Sequence, residues 1–330
     1  MNNLFKIAFN AFRESLREPV YCLMLLAALL LISIYPAVAI FAFSQTSEFF
    51  LAEQLKLVID SSMATALLFG LIISVLSASS TVSREMRNGT VLLLLSKPVS
   101  RWSFILGKIV GVTAAVVLFT LLCNFGCIIS VFVTNGQHHY VRGIHIGFLA
   151  VIAVSAVWGM VANFVRGSSF PEICTYALCA LVPLFCFGLM KFAEVPHGVT
   201  IFNLSKALVL INFACIAMAT VAVVSATRLD MVPNMCVCTA IFFSGLLSSY
   251  LFTQFEHTKS ELLKQLLTIL YSIFPNWQFF WLVDAIAMQR EIPGSYVRMA
   301  ALYMALFVII ASLWAVVLFQ NKEVAGDSRN

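Results

Sequence analysis

Charge is scarce in this chain. Asp, Glu, Lys and Arg make up only 11% of its 330 residues, and 61% are hydrophobic. A soluble domain usually carries about 25% charged residues. No stretch is long and polar enough for a separate water-soluble core, so residues 1–330 read as a single membrane domain. A phosphate-cradling loop is also missing. Gly107-Lys108 has neither the earlier glycine nor the following Ser or Thr of a P-loop, so nucleotide hydrolysis by this chain is not expected. The middles of the apolar runs lack ionisable groups, since Lys108, Glu172, Lys206 and Arg298 fall near run ends. Ion-coupled carriers and intramembrane enzymes usually place such groups at mid-membrane, which disfavours both. The nine cysteines all fall in apolar runs and read as small buried hydrophobes without a disulfide framework. Cys236-Val237-Cys238 lacks zinc-ligand spacing. No catalytic, cofactor or metal site is expected.

What the sequence has in abundance is uncharged runs of about 18 residues or more, the length that spans a bilayer as a helix. They do not alternate as barrel strands would, and a span must satisfy its backbone internally. The expected class is an all-α polytopic membrane protein. Its spans are Val20–Phe43, Ser61–Val82, Phe104–Val133, Ile146–Val165, Glu172–Met190, Ile201–Ala226, Val232–Gln254 and Val297–Gln320. Between the first two, Ser44–Asp60 reads as an outer loop. Ala37-Val38-Ala39 resembles a signal-cleavage site, but the apolar run is long for a signal segment and a structured helix precedes it, so an uncleaved span is expected. With about eight spans, both ends fall on one side. Segments on that side hold 12 Lys and Arg against 7 Asp and Glu; the other side holds 8 and 8. That bias puts the termini in the cytoplasm. The net charge of +5 is a matter of orientation, with no nucleic-acid partner implied.

Smaller features fill in the picture. Residues 1–18 are amphipathic, with Lys6, Asn10, Arg13 and Arg17 on one face and Leu4, Phe5, Ala8, Phe12 and Leu16 on another. Such a helix lies in the interface as an elbow before the first span. Residues 255–296 form the largest outer segment. Pro275-Asn276 interrupts its apolar runs, and Tyr271, Trp277 and Trp281 suit the headgroup boundary, so short re-entrant helices are expected. Asn124, Asn163 and Asn212 read as interhelical hydrogen-bonding residues. The five histidines all fall in outer segments and read as solvated.

The most charged stretch is Ser83–Gly111, which holds Arg84, Arg87, Lys97, Arg101 and Lys108 against Glu85 alone. Ser83–Asn88 extends the second span, Gly89 permits a break, and Thr90 can cap a new helix. Val91–Leu95 gives that helix an apolar surface and Pro98 ends it. Residues 83–103 thus read as a cytoplasmic segment with a short cross-helix between spans two and three. Gly107 and Gly111 form a G-x-x-x-G pair that allows close helix packing.

Glu85, Gly89-Thr90, the leucine run, Lys97-Pro98-Val99-Ser100-Arg101 and Gly107-Lys108 resemble the pattern of ATP-binding-cassette permeases of the type-2 exporter class. The ending from Tyr303 to Phe319-Gln320-Asn321-Lys322-Glu323 agrees. The resemblance implies that residues 83–103 form a coupling helix docking on a separate ATPase subunit. Arg84, Glu85, Arg87, Gly89, Thr90, Lys97, Pro98 and Arg101 would be its coupling residues. It also implies a second permease subunit, identical or similar, a bacterial cytoplasmic membrane with its lipids, and ATP and magnesium bound by the partner. The family core has six spans, so the resemblance implies one additional hairpin, either Ile146–Met190 or Ile201–Gln254, with the earlier the expected insertion. An ATPase-independent carrier or channel, and a non-transporting assembly factor, are the competing readings.

Overall fold

The computed structural model describes residues 2–42, 48–87, 101–134, 141–193, 200–255, 275–288 and 290–320. They are helical throughout, with no strand among them. We number the α-helices in chain order. The elbow is α1 (Asn2–Arg17), followed by α2 (Pro19–Ala42), α3 (Glu48–Ala78), α4 (Arg84–Arg87), α5 (Arg101–Thr134), α6 (Arg142–Arg166) and α7 (Phe170–Phe192). Then come α8 (Ile201–Ala226), α9 (Met231–Phe255), α10 (Val283–Ala287) and α11 (Gly294–Gln320). A π-helical segment, Ser79–Ser83, joins α3 to α4, and a 3-10 turn, Trp277–Phe280, precedes α10.

Among the described residues, seven helices are long and apolar enough to cross a bilayer. The eighth expected run forms α9, which has 25 residues and is apolar over Met231–Leu247, the part whose side chains are described. The chain is a polytopic all-α membrane protein. Its centre is the triad α3, α5 and α8, which pack on one another. Their mutual faces carry Met63, Ala66, Phe119, Cys123, Ile211 and Cys215, all buried. The α6–α7 hairpin lies at the periphery against α2 and α5, with exposed Trp158, Phe164 and Phe187.

The expected loop Ser44–Asp60 is corrected in part, because α3 begins at Glu48. The polar residues there mask a helical pattern. Leu55, Val58 and Ile59 turn inward, while Lys56 reaches Asp284 at 3.2 Å. The turn after α6 is tight. Gly167 adopts φ 63° and donates its N–H to Asn163 O at 2.9 Å, a left-handed helix end that glycine reaches without strain. Asn163 is not interhelical as expected, since its side-chain amide donates to Ser168 O across this turn. Asn124 does bond across helices, donating to Leu208 O at 3.2 Å, and Asn212 accepts from Thr120.

In the outer segment, two short helical turns stand where re-entrant helices were expected; 256–274, including Tyr271, lies outside the described residues. Trp277, expected at a headgroup boundary, is packed inside the protein. It is 2% exposed, with its ring 6.1 Å from that of Phe242 on α9. Here the chain folds back between helices, so the ring finds protein rather than lipid. Seven of the cysteines are buried as expected, but Cys179 is half-buried and Cys236 exposed. None forms a disulfide.

Candidate coupling site

The site is built where α3 ends. Its last turns read Ser77-Ala78-Ser79-Ser80-Thr81-Val82-Ser83. Hydroxyls in such a run compete with backbone N–H groups for carbonyls and so perturb a helix. Thr81 Oγ1 donates to Ser77 O at 2.6 Å, and Ser80 Oγ to the same oxygen at 3.2 Å. The helix widens there, and the N–H of Arg84 reaches back five residues to Ser79 O. Single π turns of this kind often mark functional positions.

Ser83 then turns away from its own helix. Its hydroxyl lies 3.1 Å from Ala226 O and 2.8 Å from Leu229 O, which binds it to the α8–α9 turn. Asn234 at the start of α9 completes the junction. Its amide donates to Ser79 Oγ at 3.0 Å, and its carbonyl accepts from Ser225 Oγ at 2.6 Å. The α3–α4 junction and the α8–α9 turn therefore share one polar node.

Lys108, on α5, is the charged centre of the site. It is 2% exposed. Its ammonium has three donors, and three acceptors surround it. These are Glu85 Oε1 at 2.8 Å, Thr81 O at 3.0 Å and Glu14 Oε2 at 3.5 Å. A buried ammonium without such partners would be strongly unfavourable. Burial raises the pKa of Glu14, which the nearby Lys108 charge partly opposes. The lysine thus joins the ends of α1, the α3–α4 rod and α5.

The glycine pair explains how α1 comes so close. A Cβ at Gly107 would lie 2.8 Å from Ile7 Cγ2, and one at Gly111 would lie 2.7 Å from Ala11 Cβ and against Ala8 O. The G-x-x-x-G pair therefore packs against the elbow helix rather than against another span. On α1, Ala8, Ala11 and Ser15 are buried on the facing side. Phe5 and Phe9 point outward instead, 72% and 57% exposed. Further along, Arg13 and Arg17 each donate Nε to Glu172 of α7 at 2.7 Å.

Of the expected coupling residues, Arg84 is largely exposed, 3.6 Å from Glu18. Glu85 turns inward to Lys108 rather than outward. Arg87 ends α4 and Arg101 begins α5, but their side chains lie outside the described residues, as do Gly89, Thr90, Lys97 and Pro98 altogether. The structure adds Glu14, Ser83, Lys108, Glu172 and Asn234. The small residues of α1 signalled its close docking, but nothing in the sequence paired Lys108 with Glu14. An apolar cavity of about 130 Å³ lies beyond this node, between α3, α8 and α9, and is walled by Leu68, Val75, Met218, Met235 and Phe242 among others.

No curated protein matches the sequence. The family described as ABC-2 family transporter protein matches residues 16–181, half of the chain, from the end of the elbow through most of the α6–α7 hairpin. The match thus takes in the whole α3–α5 connection, with its node at Lys108, and this chain belongs to the ABC-2 transporter family.

Proposed function

We propose that this chain is the permease subunit of an ATP-driven exporter and is moved by a separate cassette ATPase. Two such subunits, identical or similar, would pair with two ATPase chains in a bacterial cytoplasmic membrane. The elbow end and both termini would face the cytoplasm. ATP and magnesium would be bound by the partner, and this chain would do no chemistry.

The observation that supports this reading is the Glu85–Lys108 pair. It closes the base of the segment 86–107, so force applied to that segment reaches α3 and α5 together. In this reading Arg87, Lys97 and Arg101 contact the ATPase, and Arg84 lies at the margin. Gly89, Thr90 and Pro98 shape the bend, while Glu85 braces it from within. Central α3 and α5 would re-angle as the ATPases close, opening a path for cargo.

The test is co-purification from cells expressing this chain with its cassette ATPase. The charge reversal R87E/R101E should lower recovered ATPase at least about tenfold, since rim and interface charges set such docking. Full recovery of ATPase with the doubly reversed chain would overturn the proposal.

A further inference from the structure

The ion triplet between the elbow and the peripheral hairpin leaves most of its hydrogen-bonding capacity unused. Glu172 is nearly buried, with its side chain 7% exposed, and spends one carboxylate oxygen on each arginine Nε. Arg13 and Arg17 remain about half exposed, at 47% and 50%. A guanidinium has five N–H donors. Only one on each arginine is engaged among the described residues. The other acids of the elbow are occupied elsewhere, Glu14 at Lys108 and Glu18 at Arg84. Two positive groups thus share one negative group, and about half of each arginine side chain stays exposed.

The surroundings identify what would fill this seat. Phe5, Phe9, Arg13 and Arg17 follow one another at four-residue spacing along α1, so two exposed rings lead into two guanidiniums. Tyr176 stands beside them, 43% exposed, and donates its hydroxyl to Glu172 Oε1 at 3.3 Å. Exposed rings next to fixed cations on an interfacial helix match the boundary between acyl chains and headgroups. Arginine forks suit phosphate oxygens.

We propose that Arg13 and Arg17, held by Glu172, form a seat for the phosphate of one anionic phospholipid in the leaflet that the elbow occupies. A single phosphodiester brings the local charge to zero. A zwitterionic lipid would bring its own ammonium and leave one positive charge uncompensated. The bound lipid would join α1 to α7 beside the bridge that Glu172 makes. The proposal needs no ATPase and stands apart from the coupling reading.

The test uses the full chain, purified in detergent and titrated with phosphatidylglycerol or phosphatidylcholine, with native mass spectrometry counting retained lipids. The wild type should retain phosphatidylglycerol about tenfold over phosphatidylcholine, given the attraction of each cation to anionic lipid. R13Q/R17Q should lose that preference. K6Q removes an exposed cation elsewhere on α1 and should change it less than about twofold. A phosphatidylglycerol preference left unchanged in R13Q/R17Q, or lost to the same extent in K6Q, would overturn the proposal. If the double variant does not fold, R17Q keeps the Arg13–Glu172 bond and should still lose about threefold; an unchanged preference in R17Q has the same overturning force. Displacement of the lipid by inorganic phosphate, but not by chloride at matched ionic strength, would assign the seat to free phosphate and also refute it.

Discussion

At the elbow end ion pairs stand beside the backbone ties of Ser83 and Lys108, and at the far end the ties run mostly from side chains to backbone. Lys108 meets Glu85 and Glu14, Glu172 meets Arg13 and Arg17, and Arg84 meets Glu18. Across the bundle, Asn203 donates to Arg290 O at 2.8 Å and accepts from Ile292 N at 2.7 Å. Lys206 donates to Ile292 O at 2.7 Å, and Gln278 to Leu246 O at 3.1 Å. The ion pair Lys56–Asp284 is exposed there and contributes little. A bond to backbone fixes the path of the chain and has one geometry. A lysine between two carboxylates can change partner without leaving a charge bare. The elbow end therefore joins its helices through a shared buried cation, and the far end through bonds to the main chain.

The hardest blow to this contrast is K108M, which removes the buried cation that Glu85 and Glu14 share. Removing one partner of a buried pair costs about 3–5 kcal/mol. Thermal unfolding in detergent should show a large drop, which K108M/E85Q recovers in part. A drop left unchanged by the second substitution would mean that the carboxylate is not the problem. At the far end, N203A removes two backbone bonds and should cost about 1–3 kcal/mol. Hydrogen exchange should speed up at Arg290–Ile292 and leave the elbow end unaffected. Spread of the effect to α1 would erase the distinction between the ends.

The smallest expected effect is that of E14Q. Burial raises the Glu14 pKa, so the folded chain holds that proton more tightly than the unfolded chain does. The stability this adds is present below the unfolded pKa and is lost as pH rises through the folded one. E14Q should therefore be neutral or slightly stabilising at neutral pH, and the gap should close near pH ~4, where glutamate protonates. Unfolding midpoints across that range check the sign. Clear destabilisation by E14Q at neutral pH would make Glu14 an essential partner of Lys108 rather than an alternate one.

Much of the fold was legible because lipid imposes a simple rule on the spans. Length and the absence of charge located every long helix, and the basic segments marked their turns. Periodicity was less informative where two apolar surroundings compete. Phe5 and Ala8 looked alike on the elbow, yet one faces outward and the other faces Gly111. Trp277 carried the signature of a headgroup anchor, but the packing of the chain around it decided otherwise. The Glu85–Lys108 pair joins residues from two runs, and nothing local to either run records it. Ser44–Asp60 was misread because charge in a projecting helix looks like charge in a loop.

The widened turn at Ser79–Ser83 has a rotational consequence. Each residue of an α-helix advances the azimuth by about 100°. Were this turn to tighten to ordinary spacing, Arg84 would swing about the axis by roughly a quarter of a revolution. The rod would also lengthen slightly, because a wider turn rises less per residue. A change of pitch at this turn would thus appear as a twist at Ser83, whose hydroxyl lies against Ala226 O and Leu229 O.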